Sequence, residues 1–266
     1  MKTSVALLTV LTLLVAPALA QTPDTVFLEE LTWPELQAMV AAGKTTIILP
    51  IGGTEQNGPH MALGKHNVRV RALSERIARK LGNALVGPVI AYVPEGSINP
   101  PTGHMRFPGT ITVPEHVFRR SLESSARSVR LAGFRNVVFL GDHGSTQAGA
   151  KSVAAKLNKE WTPEARAHAI EEYYQAATVG FRELLRSRGY KSTELGEHAA
   201  VPDTSLMLAI DPRLVRKDPP ADAQVPGAGT GVDGDPRRAS AELGVLGVDL
   251  IVKRTVAAIK ASIDRH

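Results

Sequence analysis

The sequence contains no cysteine among its 266 residues. This absence excludes disulfide bonds, a thiol nucleophile and thiolate metal ligands. A metal site in this chain must therefore be built from histidine, aspartate and glutamate side chains, a set of donors that favours zinc, manganese or iron.

Aromatic residues are also scarce, at 5% of the chain. The formal net charge is +5, but the excess Lys and Arg residues are scattered along segments that read as helices, where they solvate the helix faces. The sequence has no basic block with interleaved aromatic residues. This pattern argues against nucleic-acid binding.

Apolar runs long enough to cross a membrane are missing too. The N-terminal run Val5–Val15 falls short of the roughly 20 apolar residues that a transmembrane helix needs. Lys2 precedes the run and an Ala-Leu-Ala sequence ending at Ala20 follows it, which is the layout of a secretory signal peptide; a membrane-anchoring helix is the alternative. We therefore expect cleavage of residues 1–20, and a single domain over residues 21–266 that is periplasmic or secreted.

Strand-like and helix-like segments alternate along the remaining chain. Thr46–Pro50 is a short, mostly apolar run in which polar and apolar residues do not alternate. This pattern predicts a strand that is buried on both faces. Val68–Leu81 carries apolar residues at three- and four-residue spacing, which predicts a helix. Leu85–Val93 and Asn136–Leu140 are predicted to be further strands. This alternation indicates a mostly parallel sheet with helices on both faces, a three-layer α/β/α sandwich.

Turn and cap signals add further elements to this prediction. The sequence Thr112-Val-Pro-Glu115 resembles a capping box and predicts a helix that runs to Leu131. The remaining predicted segments are a helix from about Ala148, a Pro/Gly-rich surface loop over Pro219–Pro236 and a closing helix over Gly244–Ile263. The sequence shows no internal repeat and no clear linker.

Side chains that bind metals follow the predicted buried strands. Glu55, His60, His66 and His143 all lie in predicted loops just after strand-like runs. Ligands of parallel α/β sheets bind outside the carboxyl ends of the strands, so we expect these residues to meet in one site. A lone histidine such as His168 is more often a polar surface residue.

Several motifs follow one another along the chain. They are Leu49-Pro-Ile-Gly52, Glu55-Gln56 with Gly58-Pro-His60, Phe107-Pro-Gly-Thr110, Gly141-Asp-His-Gly144, Glu197-His198 with Asp203-Thr-Ser205, and Gly234-Asp-Pro236. From about Phe27 to the C-terminus they resemble, in order, the motifs of the creatininase (creatinine amidohydrolase) family. The resemblance implies a metal-dependent amidohydrolase that cleaves C–N amide bonds, with a parallel-sheet α/β sandwich, two divalent ions and assembly as a hexamer.

The resemblance carries over to the metal ligands only in part. Glu55 and His143 match metal-binding residues of the family, whereas Asn57 stands in place of a metal-binding histidine and His66 in place of a bridging aspartate. A carboxylate can bridge two ions with its two oxygens, but a neutral imidazole offers one lone pair. We therefore expect one divalent ion per subunit, zinc before manganese or iron, bound by Glu55, His66, His143 and Asp203.

The resemblance also implies roles for other residues. His198 is expected to be the catalytic general acid that protonates the leaving nitrogen. Substrate binding or ligand orientation is expected for Asn57, His60, His104 and Glu95, and a purely structural hydrogen-bonding role is the alternative for His60 and His104. The expected partners are a small-molecule amide substrate and further copies of the chain, without nucleic acid or membrane. The alternative is a catalytically inactive small-molecule-binding protein on the same scaffold, because several ligand positions are altered.

Overall fold

The computed structural model of the chain describes residues 23–216 and 228–265, so the predicted signal peptide lies outside the described residues. A sheet of four parallel strands forms the centre, in the order β2-β1-β3-β4. The strands are β1 Thr46–Ile51, β2 Ala84–Val86, β3 Asn136–Gly141 and β4 Arg166–Ala169. β1 and β3 pair along their whole length, from Thr46↔Asn136 to Ile51↔Gly141, and therefore end at the same edge of the sheet.

Helices cover both faces of this sheet. The α-helices are α1 Trp33–Ala41, α2 Lys65–Leu81, α3 Glu115–Leu131, α4 Gln147–Trp161, α5 Glu171–Gln175, α6 Phe181–Ser187, α7 Ser192–Leu195, α8 Val201–Ile210 and α9 Ala241–Asp264. A π-helical turn over Ala176–Gly180 joins α5 to α6. Within residues 23–216 and 228–265, none of the helices is long and apolar enough to cross a membrane.

The side chains of β1 divide the hydrophobic core into two layers. Ile48 points to one face, where it belongs to a buried cluster with Leu73 of α2 and Ile251 of α9. Leu49 points to the opposite face and belongs to a second cluster with Phe118 of α3. Burying each such side chain contributes about 1.5–3 kcal/mol of stability. The two clusters confirm the predicted three-layer α/β/α sandwich.

The second strand is much shorter than the predicted Leu85–Val93. Only Ala84–Val86 pairs with β1 as a strand, because Pro88 has no backbone N–H to continue the ladder. The chain returns to β1 at Ile90, whose N–H donates to the carbonyl of Pro50 at 2.9 Å. The segment after Ile90 therefore runs along the edge of the sheet at which β1 ends.

The second helix begins three residues before its predicted start. α2 starts at Lys65 instead of Val68, so His66 lies in the first helical turn and not in the preceding loop. The apolar periodicity did not reveal this turn because its inward-facing residues are polar: Lys65, His66 and Arg69 are all buried. The shift places three polar side chains of one helix face beside the carboxyl edge of the sheet.

The predicted capping box of α3 is wrong, although the helix itself is present. The N-cap residue is Pro114, and no side chain caps the helix there. The Thr112 hydroxyl instead accepts a hydrogen bond from the N–H of Glu95 at 2.9 Å and donates one to the carbonyl of Gly96 at 3.2 Å. Thr112 therefore secures the loop that carries Glu95.

Other differences concern segments without strong periodicity. The sequence did not predict α1, β4 or the helices between residues 171 and 210. His168 is a buried residue of β4, with Nδ1 2.9 Å from the hydroxyl of Ser262, and not a surface residue. Residues 219–227 of the predicted loop over Pro219–Pro236 lie outside the described residues, whereas Asp233 pairs with the backbone of His198.

Candidate metal centre and active site

Several ionisable side chains gather at the carboxyl edge of the sheet. Glu55 follows β1, and Glu95 lies on the segment after β2. His143 lies two residues after the end of β3 and caps a 3₁₀ turn, while His66 comes from the first turn of α2 and His198 from the segment before α8. The structure thus brings together residues that are far apart in the sequence, at the edge where ligands bind to parallel α/β sheets.

Glu55 is the centre of this cluster. Its carboxylate is fully buried, with Oε1 2.6 Å from His66 Nε2 and 3.7 Å from His198 Nδ1. Its Oε2 lies 3.2 Å from His143 Nε2 and 3.3 Å from His104 Nε2. Burial alone would raise the pKa of Glu55, but His66 and His143 hold it far below its ordinary value. Glu55 is therefore anionic at neutral pH.

Two sets of three side chains in the described residues could each hold a metal ion. Their donor atoms lie within 4.8 Å of one another in each set. One set is Glu55 with His66 and His143, and the other is Glu55 with His104 and His198. Glu55 belongs to both sets, which makes it the residue on which any metal site here depends.

Asp142 is a functional residue that the sequence reasoning missed. It is buried, and its Oδ2 lies 2.6 Å from His66 Nδ1. Arg69 Nε donates to the same oxygen at 2.9 Å, and the hydroxyl of Tyr173 donates to Oδ1 at 2.6 Å. A carboxylate at Nδ1 fixes the imidazole so that Nε2 faces a metal. The available signal was its position directly before His143.

Asp203 does not belong to either set of metal-ligand donors. Its Oδ1 accepts a hydrogen bond from Arg69 Nη1 at 2.6 Å, and its Oδ2 accepts from Lys65 Nζ at 3.2 Å and from the N–H of Ala199 at 3.0 Å. Although burial opposes ionisation, Lys65 and Arg69 hold the pKa of Asp203 well below its ordinary value. Both oxygens of this expected metal ligand are thus engaged with cations of α2.

Glu95 presents a second buried carboxylate to the cluster. Its Oε2 lies 3.4 Å from His143 Nε2, and neither oxygen receives an aligned hydrogen bond from any described residue. Burial raises the pKa of Glu95 to about 8; nearby His143 opposes this shift and Glu55 adds to it. Only glycine fits at position 53, because a Cβ there would lie 2.7 Å from Glu95 Oε1.

Gln56 determines which nitrogen of His104 carries the proton. Its Oε1 accepts from the N–H of Gly58 at 2.9 Å, and its Nε2 donates to the carbonyl of Gly231 at 3.0 Å. The oriented amide therefore also donates to His104 Nδ1, 2.7 Å away, so the proton of a neutral His104 is on Nε2. His104 consequently faces Glu55 with an N–H group and not with a lone pair.

His198 also carries its proton on Nε2, but it is the other ring nitrogen, Nδ1, that faces Glu55. Its Nε2 lies 2.9 Å from the backbone carbonyl of Gln56, which can only accept, so Nε2 carries the proton. The lone pair is then on Nδ1, which faces Glu55. Burial, followed by the charge of Lys65, lowers the pKa of His198 to about 3. His198 is therefore neutral at neutral pH, with a lone pair available on Nδ1.

Asn57 and His60 support the loop after β1. The Nδ2 of Asn57 donates to the carbonyls of Glu55 at 2.9 Å and Ala62 at 3.2 Å. His60 Nε2 lies 2.9 Å from the hydroxyl of Thr204. Among the described residues, these contacts connect Asn57 and His60 to the loop and to α8.

The donors of the cluster fit a divalent ion. Glu55 Oε2 is buried, yet no side chain in residues 23–216 or 228–265 donates an aligned hydrogen bond to it. His143 and His104 approach this oxygen within 3.3 Å without such alignment. A buried carboxylate oxygen without a partner is costly, and a bound cation would satisfy it. Imidazole nitrogens and carboxylate oxygens are donors that zinc and manganese accept.

The raised pKa of Glu95 predicts how the metal-free protein responds to pH. Because the folded state keeps the Glu95 proton up to about pH 8 and the unfolded state loses it near the ordinary value of 4.5, the stabilisation falls as pH rises through this window. In chelator, the melting temperature of the native chain should fall between about pH 5 and pH 8, and Glu95→Gln should reduce this fall. Exposed Glu164→Gln is the control, and parallel curves for Glu95→Gln and the native chain would contradict the prediction.

Fold and site together define a metal-binding α/β enzyme. Residues 29–259 match the creatininase family, described as creatinine amidohydrolase. Over 197 residues, the chain is 28% identical to creatinine amidohydrolase from Pseudomonas putida, a match that covers 73% of this chain and 75% of that protein. Over 192 residues, it is 25% identical to 3-dehydro-scyllo-inosose hydrolase from Thermotoga maritima, covering 68% of this chain and 55% of that protein.

Solved creatininase structures have the same fold. One is named as a manganese form and another as a variant of Zn-Zn type; they superimpose with TM-scores of 0.72 and 0.70. Each is 27% identical, and each match covers 90% of this chain and 99% of the other. The chain belongs to the creatininase family and is a metal-dependent hydrolase that acts on C–N bonds. The family recognised from the sequence motifs is thereby confirmed.

Proposed function

We propose that this chain hydrolyses the C–N bond of a small-molecule amide or lactam with one zinc ion held by Glu55, His66 and His143. The observation that carries the proposal is the convergence of these three donors within 4.8 Å. The other ring nitrogen of each histidine has a partner, Asp142 Oδ2 at 2.6 Å and the Ser145 hydroxyl at 2.7 Å. Two imidazoles with one carboxylate make a typical ligand set for a single catalytic zinc ion.

The set with His66 and His143 is favoured over the set with His104 and His198. The nearest partner of His143 Nδ1 is the Ser145 hydroxyl at 2.7 Å, which can accept a hydrogen bond from Nδ1–H and so leave a lone pair on Nε2. Because Gln56 donates to His104 Nδ1, His104 presents an N–H to the site and cannot ligate a metal in this tautomer. We assign to His104 the role of a hydrogen-bond donor facing Glu55 and the substrate. His198 keeps a free lone pair and is available for proton transfer.

A zinc ion in this site would lower the pKa of a bound water toward neutrality and polarise the amide carbonyl. His198 accepts the water proton at Nδ1 while Nε2–H remains anchored to the Gln56 carbonyl. It then delivers that proton to the leaving nitrogen, which must be protonated for the C–N bond to break. Asp142, which accepts a hydrogen bond from Arg69, holds His66 in place during these steps.

We assign a small-molecule amide other than creatinine as the substrate. The names of the two relatives describe different substrates, creatinine and an inosose derivative, so family membership is compatible with several small molecules. By the resemblance, this chain also departs from the family at Asn57, His66 and Asp203. A changed set of polar side chains around the reaction centre changes which substrate is stabilised in the transition state.

We also propose that the protein is exported and forms a homo-oligomer. The basic residue, apolar run and Ala-Leu-Ala sequence at the N-terminus support export, and the family resemblance supports the oligomer. N-terminal analysis of protein from the periplasm or medium should give Gln21 as the first residue. Light scattering on the same sample should give several subunits. Intact Met1 on cytoplasmic protein, or a monomeric mass, would contradict the respective proposal.

Metal analysis of protein purified without added metal tests the proposed site. We expect one equivalent of zinc per subunit in the native chain and none in His143→Ala, because only two donors of the set remain. Exposed His116→Ala is the matched control and should keep its zinc. Two equivalents in the native chain would contradict the single-ion site. No metal would contradict the proposed function and favour the inactive binding protein.

A further inference from the structure

The amide of Gln56 is held by the backbone on one side and contacts the His104 ring on the other. Its Oε1 accepts from the N–H of Gly58 at 2.9 Å, and its Nε2 donates to the carbonyl of Gly231 at 3.0 Å and to His104 Nδ1 at 2.7 Å. Turning the amide over would set Oε1 against the Gly231 carbonyl and Nε2 against the Gly58 N–H, so both backbone contacts would be lost. The backbone therefore fixes the amide, and the amide fixes the proton of a neutral His104 on Nε2.

The fold leaves a place for this amide. Gln56 is buried, and a Cβ at position 231 would collide with its Oε1. Gly231 also has a φ angle of +74°, a backbone conformation that favours glycine. A buried side chain with three partners, in a space that depends on a glycine, is a built part of the site.

The two imidazoles His66 and His104 differ in what faces Nδ1. The carboxylate of Asp142 lies 2.6 Å from His66 Nδ1, which leaves a lone pair on Nε2 for a metal. The amide nitrogen of Gln56 lies at a similar distance from His104 Nδ1, 2.7 Å, but donates to it. His104 Nε2 therefore brings a proton, and no lone pair, to a point 3.3 Å from Glu55 Oε2.

We propose that Gln56 is a positioning residue that limits the cluster to one metal ion by holding His104 as a hydrogen-bond donor. The inference rests on the proposed single-ion function and explains why one ion binds. In the second donor set, Glu55 with His104 and His198, the donor atoms lie within 4.8 Å of one another, so their spacing permits an ion. Glu55 could serve both ions, because a carboxylate can bridge two metals with its two oxygens. The second set lacks only a lone pair on His104 Nε2.

Zinc stoichiometry and the tautomer of His104 test this inference in Gln56→Glu. A carboxylate at position 56 would accept from Nδ1–H and leave the lone pair on Nε2, as Asp142 does for His66. After dialysis at pH 8 against the same buffered zinc concentration, we expect one equivalent per subunit in the native chain and a rise toward two in the variant. Nitrogen-15 NMR of the zinc-free proteins, with the ring signals assigned from His104→Gln, should show Nε2–H in the native chain and Nδ1–H in Gln56→Glu. Gln37→Glu, at an exposed position, should match the native chain in both measurements.

Double variants show whether the additional ion binds at the second donor set. Adding His104→Gln or His198→Gln to Gln56→Glu should return the stoichiometry to one, because each change removes a ligand of the second ion. Gln56→Met serves if Gln56→Glu does not fold, since methionine removes the N–H donor without adding a charge, and it should also raise the zinc content. Circular dichroism and thermal unfolding establish folding before the dialysis.

The outcomes separate the role of Gln56 from the proposed function. One equivalent in both the native chain and a folded Gln56 variant would overturn this role and leave the single-ion function intact. An Nδ1–H tautomer of His104 in the native chain, or a second ion that persists in both double variants, would also overturn it. Two equivalents in the native chain would overturn the inference together with the single-ion site. No zinc in the native chain would overturn the proposed function itself.

Discussion

Replacing Glu55 by glutamine should remove the bound metal and lower kcat/KM by about 10³-fold or more. A metal ion supplies several kcal/mol of transition-state stabilisation, and each 1.36 kcal/mol corresponds to a factor of ten in rate. Glu55 belongs to both sets of donors that could hold an ion. The amide of glutamine has no charge, and its NH₂ group can neither accept a hydrogen bond from a histidine N–H nor donate an electron pair to a metal.

Metal content and turnover are measured on the same preparations of Glu55→Gln. Because no substrate is assigned, turnover is followed with a panel of small amides and lactams, using the native chain to select an active compound. Glu164→Gln, at an exposed position, should keep both metal and activity. Glu55→Gln that retains stoichiometric metal and native turnover would contradict the central position of Glu55.

Replacing His198 by glutamine should lower kcat by about 10²–10⁴-fold, the usual contribution of general acid–base catalysis. The amide nitrogen of glutamine can replace Nε2 as the donor to the Gln56 carbonyl, a contact of 2.9 Å in the native chain. Glutamine lacks, however, a nitrogen that can accept a proton and return it. The loop should therefore remain in place while proton transfer is lost.

Measuring zinc content together with kcat of His198→Gln separates a role in proton transfer from a role in metal binding. Zinc content of His198→Gln should equal that of the native chain, because the proposed ligands are Glu55, His66 and His143. His116→Gln, an exposed histidine on α3, is the control for the substitution itself. Loss of zinc in His198→Gln would show that His198 is a ligand, and native kcat would show that it transfers no proton.

Sequence reasoning succeeded where the signal was local. The apolar runs of β1 and β3 predicted buried strands because continuous burial on both faces needs uninterrupted apolar residues. Glu55 and His143 were found because they lie directly after those strands, where parallel sheets place ligands. The periodicity of α2 predicted the helix, although it missed the first turn because the inward-facing residues there are polar.

The roles of individual polar residues were less predictable. Asp203 was expected to bind metal, but the structure places it against Lys65 and Arg69. Asp142 received no role, yet it holds the His66 ring. Both residues are aspartates, and the role of each in the structure depends on which partner lies within hydrogen-bonding distance.

The sequence by itself determined the family, the parallel sandwich and the loops that carry Glu55 and His143, because these depend on contiguous motifs and apolar runs. Only the tertiary structure decided which carboxylates face imidazoles and which face cations. Lys65 meets Asp203 across 138 positions of sequence and His66 meets Asp142 across 76. Electrostatic and hydrogen-bonding interactions act over a few ångströms in space, so residues far apart in the chain acquire these roles only when folding brings them together.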